Sequence, residues 1–194
     1  MPRPVRLAMT RVIDRTPEQI GAILCDLDRW EIFPGWGPMP GIASATLLVG
    51  PRGAAPVSSG VSSGVSRGVA PDGAKSTTRK IGAVHDDLAG SRVAVRCTDG
   101  SAYVEEITEW DPPRRIRIRL GEFSPPLGRL ATHFDEAFAF EAMPESGDHP
   151  RTRVRRELEL YPRRWFARPA LWLIRPMLAA AIARHMAMLD DDDR

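Results

Sequence analysis

Near the carboxyl end, Leu171, Ile174, Leu178, Ile182, His185 and Leu189 step by three and four residues along one face of a long helix. Ala179, Ala180, Ala181 and Ala183 keep the neighbouring surface thin enough for a sheet to approach closely. A helix with such a face must bury it against another layer, so this stretch is read as the closing element of the fold. Pro169 suits the first turn, whereas Pro176 removes an internal hydrogen bond and predicts a kink or restart. The acidic run Asp190 to Asp193 opposes the negative end of the helix dipole and predicts fraying there. The surrounding segment, Ala167 to Ala183, is interrupted by Arg168, Pro169, Arg175 and Pro176. It falls short of the roughly 20 apolar residues that a membrane span requires and is read as a buried helix. A helix lying in a membrane interface is the competing reading, because Arg163, Arg164, Arg168, Arg175 and Arg184 flank Trp165, Phe166 and Trp172. That reading is not favoured, since the same residues fit a core helix with snorkelling arginines.

What precedes this helix has the period of strands. Val5, Leu7, Met9 and Ile13 alternate with polar positions and open the fold. Thr16, Pro17 and Gln19 then supply a capping hydroxyl, a proline at the first helical position and a capping-box amide ahead of Ile20, Ile23, Leu24 and Leu27. Trp30, Phe33 and Trp36 lie among prolines and glycines between Asp28 and Gly41, where a short second helix and a turn are expected. Strands are expected at Ile42 to Val49, at Ser91 to Asp99 before an Asp99-Gly100 turn, and at Tyr103 to Trp110. Others follow at Arg115 to Leu120, whose arginines face water, and at His133 to Phe140 and Thr152 to Leu160. The sheet they imply is antiparallel and meandering. Between about residues 50 and 78 the chain turns to Gly, Ser, Pro and Ala, with three units repeating every four residues from Val57 to Gly68. Such a stretch has too little apolar surface to offset its ordering entropy and reads as an insertion.

Composition bounds the function. Hydrophobic residues at 43% and charged residues at 27% fit an ordinary globular domain, and the strands followed by a closing helix make its class α+β. A net charge of +2 drawn from 27 basic and 25 acidic residues argues against nucleic acid as a partner. Cys25 and Cys97 have no ligand-like spacing, and the four histidines lack close pairing, so neither a metal nor another cofactor is expected. The opening residues show no secretory h-region, and a reduced, cytoplasmic setting is the expectation.

The stretch Tyr103-Val-Glu-Glu-Ile-Thr-Glu-Trp-Asp-Pro-Pro-Arg-Arg-Ile116 resembles the strand, Asp-Pro-Pro turn and strand of the START/SRPBCC superfamily, in its polyketide cyclase/dehydrase and lipid-transport branch. The capped helix before Trp30, the strand from Thr152 to Leu160 and Leu173-Ile-Arg-Pro-Met-Leu178 support the resemblance. It implies a helix-grip fold over residues 1–194: two short helices after the first strand, then a curved antiparallel sheet wrapped around the long final helix. It also implies a cavity under that helix for lipids, polyketides, quinones or other small apolar molecules, and in some members cyclisation or dehydration of the bound molecule.

Wall candidates for such a cavity are Trp30, Phe33, Trp36, Tyr103, Trp110, Phe134, Phe138, Leu171, Ile174, Leu178 and Ile182, for each of which plain core packing is the stronger reading when taken singly. Alternation sends either Glu105 or Glu106 inward, where a carboxyl would have a raised pKa and act as acid or base; an exposed strand-edge carboxylate paired with Arg96 or Arg117 is the competing and stronger reading. Glu106 and His133 are the candidates for catalysis, and Glu105 is placed with the ligand-binding set. A solvent-facing role for His133, and a dipole-stabilised one for His185, are the alternatives. Binding or carriage of a small apolar ligand is the leading expectation. An aromatase/cyclase-like or dehydrase-like enzyme is the second, and a membrane-peripheral or protein-partner module the third.

Overall fold

The computed structural model describes residues 3–25, 35–36, 39–49, 88–111, 113–144 and 150–191. The expected insertion, the expected second helix, Trp30, Phe33, His85 and His149 lie outside them. Strand β1, Val5–Ile13, turns its odd-numbered residues Val5, Leu7 and Ile13 into the core. Helix α1, Pro17–Cys25, follows with the expected capping box: the Gln19 N–H donates to Thr16 Oγ1 at 3.2 Å, and the Thr16 N–H donates to Gln19 Oε1 at 2.9 Å. A two-strand ribbon, β2 (Gly35–Trp36) and β3 (Met39–Pro40), leads to β4, Ile42–Val49.

Five further strands run back across the molecule: β5 (Arg92–Cys97), β6 (Ala102–Asp111), β7 (Arg115–Gly121), β8 (Ala131–Ala142) and β9 (Thr152–Pro162). With β1 and β4 they make one seven-stranded antiparallel sheet in the order β1-β9-β8-β7-β6-β5-β4, so the first strand and the last are neighbours. The β5–β6 turn is drawn by Asp99 and Gly100. Gly100 takes a φ of 83°, open to it for want of a Cβ, while Asp99 Oδ1 accepts the Ser101 N–H at 2.9 Å.

Outward residues are charged and pair across the strands. Arg117 Nε lies 3.0 Å from Glu109 Oε2, Arg119 Nε 2.8 Å from Asp135 Oδ1, and Arg153 Nη1 2.8 Å from Glu141 Oε2. Inward residues form one main core around Ile116, Phe134, Phe138, Val154 and Leu160, and a smaller one around Leu88, Val93, Val95 and Ile107.

Between β7 and β8 a short helix, α2 (Leu127–Leu130), folds back so tightly that only glycine fits at residue 128. A Cβ there would sit 2.1 Å from the Phe123 carbonyl oxygen, which belongs to the backbone and cannot swing aside. Gly128→Ala is therefore expected to cost about 2 kcal/mol, read as a lower urea midpoint with an unchanged slope.

A 3-10 turn, Trp165–Ala167, opens the final helix α3, Arg168–Asp191, which lies chiefly along β1. Two sequence expectations change here. The helix does not restart at Pro176, which stands on an exposed turn where water can take up the carbonyl that the proline leaves without a partner. Nor does Asp190 fray: it accepts from Arg11 Nη2 at 3.2 Å and from the Asp14 N–H at 3.1 Å, tying the helix end to the end of β1, while Asp192 and Asp193 of the acidic run lie outside the described residues. These bonds offset the unfavourable position of a carboxylate at the negative end of the dipole. The helical stretch Trp165–Asp190, at 26 residues, is long and apolar enough by length and composition to cross a membrane, longer than its sequence interruptions suggested. Its second half nevertheless buries Ile182, Met186 and Leu189 in the core.

Candidate functional site

The sheet curves around α3, and the space between them is not filled. A cavity of about 500 Å³ lies there, within the span of roughly 300–1,000 Å³ usual for small-molecule sites. Period-two alternation delivers the floor: Ile118 and Leu120 from β7, Phe134 and Phe138 from β8, Leu158 from β9. Helical spacing delivers the roof, with Ile174, Leu178, Ala181 and Ile182 recurring on one face of α3. Ile23 and Leu24 of α1, the 123–126 loop and α2 close the sides. Within this wall Phe123 packs on Phe134 at 4.7 Å between ring centroids, and on Tyr103 at 6.2 Å.

Five polar side chains converge on one part of the cavity: Tyr103, Glu105, Glu136, Arg156 and His185. Strand phase explains four of them. Tyr103 and Glu105 share the inward face of β6 with Ile107. Glu136 sits between Phe134 and Phe138 on β8, and Arg156 between Val154 and Leu158 on β9. His185 reaches the same place from α3, one helical turn beyond Ala181.

Arg156 holds the cluster together. Its Nε donates to Glu136 Oε1, with side-chain exposures of 11% and 8% for the two partners. Its Nη1 donates to His185 Nδ1 at 2.9 Å, and its guanidinium lies 4.9 Å from the centre of the Phe138 ring. Because a guanidinium offers only donors, Nδ1 of His185 must accept, which assigns the histidine proton to Nε2. Burial, and next the charge of Arg156, push the His185 pKa down to about 3, so the ring is neutral. This overturns the reading in which the helix dipole holds a cation at that position.

Glu105 is shifted the other way. Enclosure by protein, and next the negative charge of Glu136, raise its pKa to about 8, against partial opposition from Arg156 and the Tyr103 hydrogen bond. What surface it keeps faces the cavity. The Tyr103 hydroxyl is also raised, chiefly by burial. Near neutral pH the cluster therefore pairs one carboxylate with one guanidinium and presents a protonated carboxyl and a phenol beside them. Such a patch, with no net charge, can donate hydrogen bonds to a neutral acceptor and can give or recover a proton.

The sequence candidates divide by strand phase. Tyr103, Glu105, Phe134, Phe138, Ile174, Leu178 and Ile182 line the cavity. Leu171 is fully buried in the core outside the lining, and Trp110 joins the two cores, its indole N–H buried without an acceptor among the described residues. Trp36 lies in the β2 ribbon. Glu106 is out of phase with Glu105 and stands opposite Arg92 and Arg119 on the far face. His133 is on that face too, stacked on Tyr161 at 4.3 Å and 3.7 Å from Asp135. The two candidates for catalysis thus point away from the cavity. Glu136 and Arg156 were missed, although each is a charged residue in phase with an apolar alternation, which is a legible signal. Among the described residues no three His, Cys, Asp or Glu side chains gather as a metal site would require.

Comparison with known proteins agrees with this architecture. No curated protein sequence matches the chain. Among solved structures, protein MLL2253 from Mesorhizobium loti superposes with a TM-score of 0.56 at 12% identity, covering 98% of this chain and 99% of that one. The structure of Ara h 8.0201 gives a TM-score of 0.47 at 10% identity, over 83% of this chain and 79% of that one. At such identities the first supports the fold alone. The sequence model for the family described as polyketide cyclase / dehydrase and lipid transport matches residues 4–191, nearly the whole length, and the chain belongs to that family.

Proposed function

We propose that the protein binds and carries a small, largely apolar molecule in the cavity under α3, with a hydrogen-bond acceptor of that molecule turned toward Tyr103 and Glu105. The observation that carries this reading is the pairing of a 500 Å³ apolar chamber with one convergent polar cluster. A lipid, polyketide or quinone-like body fits the walls, and a carbonyl fits the donors. Removing the ligand's apolar surface from water supplies the affinity, and the cluster supplies orientation.

A second reading has one observation in its favour: a carboxyl with its pKa near 8 can pass a proton to a ketone oxygen and take one back at working pH. This would make Glu105 the acid-base group of a cyclisation or dehydration on a bound polyketone, with proximity contributing the rest. Glu106 and His133, from the opposite face, would have no part in it.

One experiment separates the readings. The protein is heated alone and with oleic acid, a short-chain ubiquinone and an aromatic polyketide, in wild-type, Ala181→Phe and Glu105→Gln forms. A ligand at a hundred times its Kd is expected to stabilise the wild type by about 2.7 kcal/mol. Ala181→Phe, which fills the chamber, is expected to lose that response. Glu105→Gln retains binding on the carrier reading, and on the enzymatic reading retains binding but loses turnover of a poly-β-ketone. No response to any of the three compounds, or a full response in Ala181→Phe, overturns the carrier assignment.

A further inference from the structure

The helix that roofs the cavity is apolar on two faces, and the sheet can cover only one. Ala167, Leu171 and Ile182 point inward and are buried. On the outer side Trp165, Phe166, Pro169, Trp172, Leu173 and Pro176 recur at steps that return to the same side of a helix. Trp165 is 79% exposed and Leu173 77%, with Phe166 and Trp172 more than half exposed. Single exposed apolar residues are ordinary, but a contiguous ridge of two tryptophans, a phenylalanine and a leucine marks an interaction surface.

Charge identifies the partner. From Tyr161 to Leu189 there is no acidic residue, while Arg163, Arg164, Arg168, Arg175 and Arg184 fall in that interval. Two of the arginines lie beside the ridge aromatics, with Arg164 5.8 Å from the centre of the Phe166 ring and Arg175 5.9 Å from that of Trp172. A second copy of the chain, docking through the same ridge about a twofold axis, would bring these cations face to face. An aromatic ridge bordered by guanidiniums instead matches the depth profile of an anionic bilayer, with rings at the headgroup level and cations among the phosphates.

We propose that the first half of α3, with the 3-10 turn before it, is a docking face for an anionic lipid bilayer. The protein lies on the surface and does not cross it, because the second half of the same helix is committed to the core and Asp190 is bonded to β1. Docking sets the roof residues Ile174 and Leu178 immediately behind the ridge, so the cavity and the hydrocarbon region are separated by one helix. The inference stands on the exposed ridge and does not depend on what the cavity holds.

Co-sedimentation of the full chain with vesicles tests it, using phosphatidylcholine alone and an equal mixture of phosphatidylcholine and phosphatidylglycerol. Wild type is expected to pellet with the mixture and not with phosphatidylcholine alone, and to be released by salt. Arg164→Gln with Arg168→Gln is expected to lower the partition coefficient by about 30-fold, and Trp172→Ala with Leu173→Ala by tenfold or more. All four side chains are exposed, so far-ultraviolet circular dichroism and melting are expected to match wild type. As a second readout, brominated lipid is expected to quench tryptophan fluorescence in the wild type and much less in Trp165→Phe with Trp172→Phe. Failure to pellet with the anionic vesicles overturns the proposal, as does equal pelleting by the Trp172 and Leu173 variant. Concentration-dependent dimerisation that this variant abolishes, without vesicle binding, reassigns the ridge to a second copy.

Discussion

Replacing Arg156 with methionine is expected to destabilise the protein by about 3–5 kcal/mol, because it leaves the Glu136 carboxylate buried without its counter-charge. Three contacts go together. Glu136 loses its donor, His185 Nδ1 loses the hydrogen bond it accepts, and the Phe138 ring loses the cation over its face. The double variant Glu136→Leu with Arg156→Met is expected to recover most of the loss, since a buried ion pair is often matched or exceeded by apolar groups of similar volume. Urea titrations of wild type, both single variants and the double variant at neutral pH measure the coupling directly. A cost below about 1 kcal/mol for Arg156→Met would mean that cavity water already solvates Glu136, and that the cluster is wetter than its exposure indicates.

The second large effect is a stability profile limited on both sides by single residues of the same cluster. Glu105 has a folded pKa of about 8 against an ordinary 4.5, so between those values the native state holds a proton that the unfolded chain releases. Stability from this group is present in full below pH 4.5 and is lost as pH rises toward 8. His185 runs in the opposite sense. Its folded pKa of about 3 lies below the ordinary 6.5, so its contribution is full above 6.5 and is lost as pH falls toward 3. From these two groups the greatest stability is expected between about pH 4.5 and 6.5, where the slopes cancel. Glu105→Gln keeps the shape and removes the ionisation. It is expected to flatten the alkaline limb and to gain roughly 2–4 kcal/mol over wild type near pH 9. His185→Gln keeps an acceptor for Arg156 and is expected to flatten the acid limb. Unfolding midpoints across pH decide the matter, and an alkaline limb unchanged in Glu105→Gln would show that its carboxyl ionises normally.

How much of this was legible in the chain depended on whether a residue's neighbours set its direction. Strand ends came out within a residue or two at β6, β7 and β9, because the alternation is strong and the turns carry their own chemistry. The capping box of α1 was plain for the same local reason. Glu105 against Glu106 was a question of phase, and one residue of phase decides which face of a sheet a side chain takes. The apolar anchors Tyr103 and Ile107 hold Glu105 inward. His133 was drawn toward the cavity by its neighbour Phe134, when adjacency in a strand means opposite faces. The Arg156 cluster was harder to read, since its members come from β6, β8, β9 and α3, and only the assembled register brings them together. Asp190 shows the same limit: its position at a helix end was visible, but Arg11, which answers it, is 179 residues away.

That separation also orders events during synthesis. Strand β1 has one partner in the sheet, and that partner, β9, is made more than a hundred residues later. Until then its nine residues present an unpaired apolar edge, while the meander from β5 onward can zip up by short-range hairpins. Loop closure over so long an interval is slow, and it makes the pairing of β1 with β9 the late step of folding. The nascent chain thus carries an unpaired, aggregation-prone strand until β9 emerges.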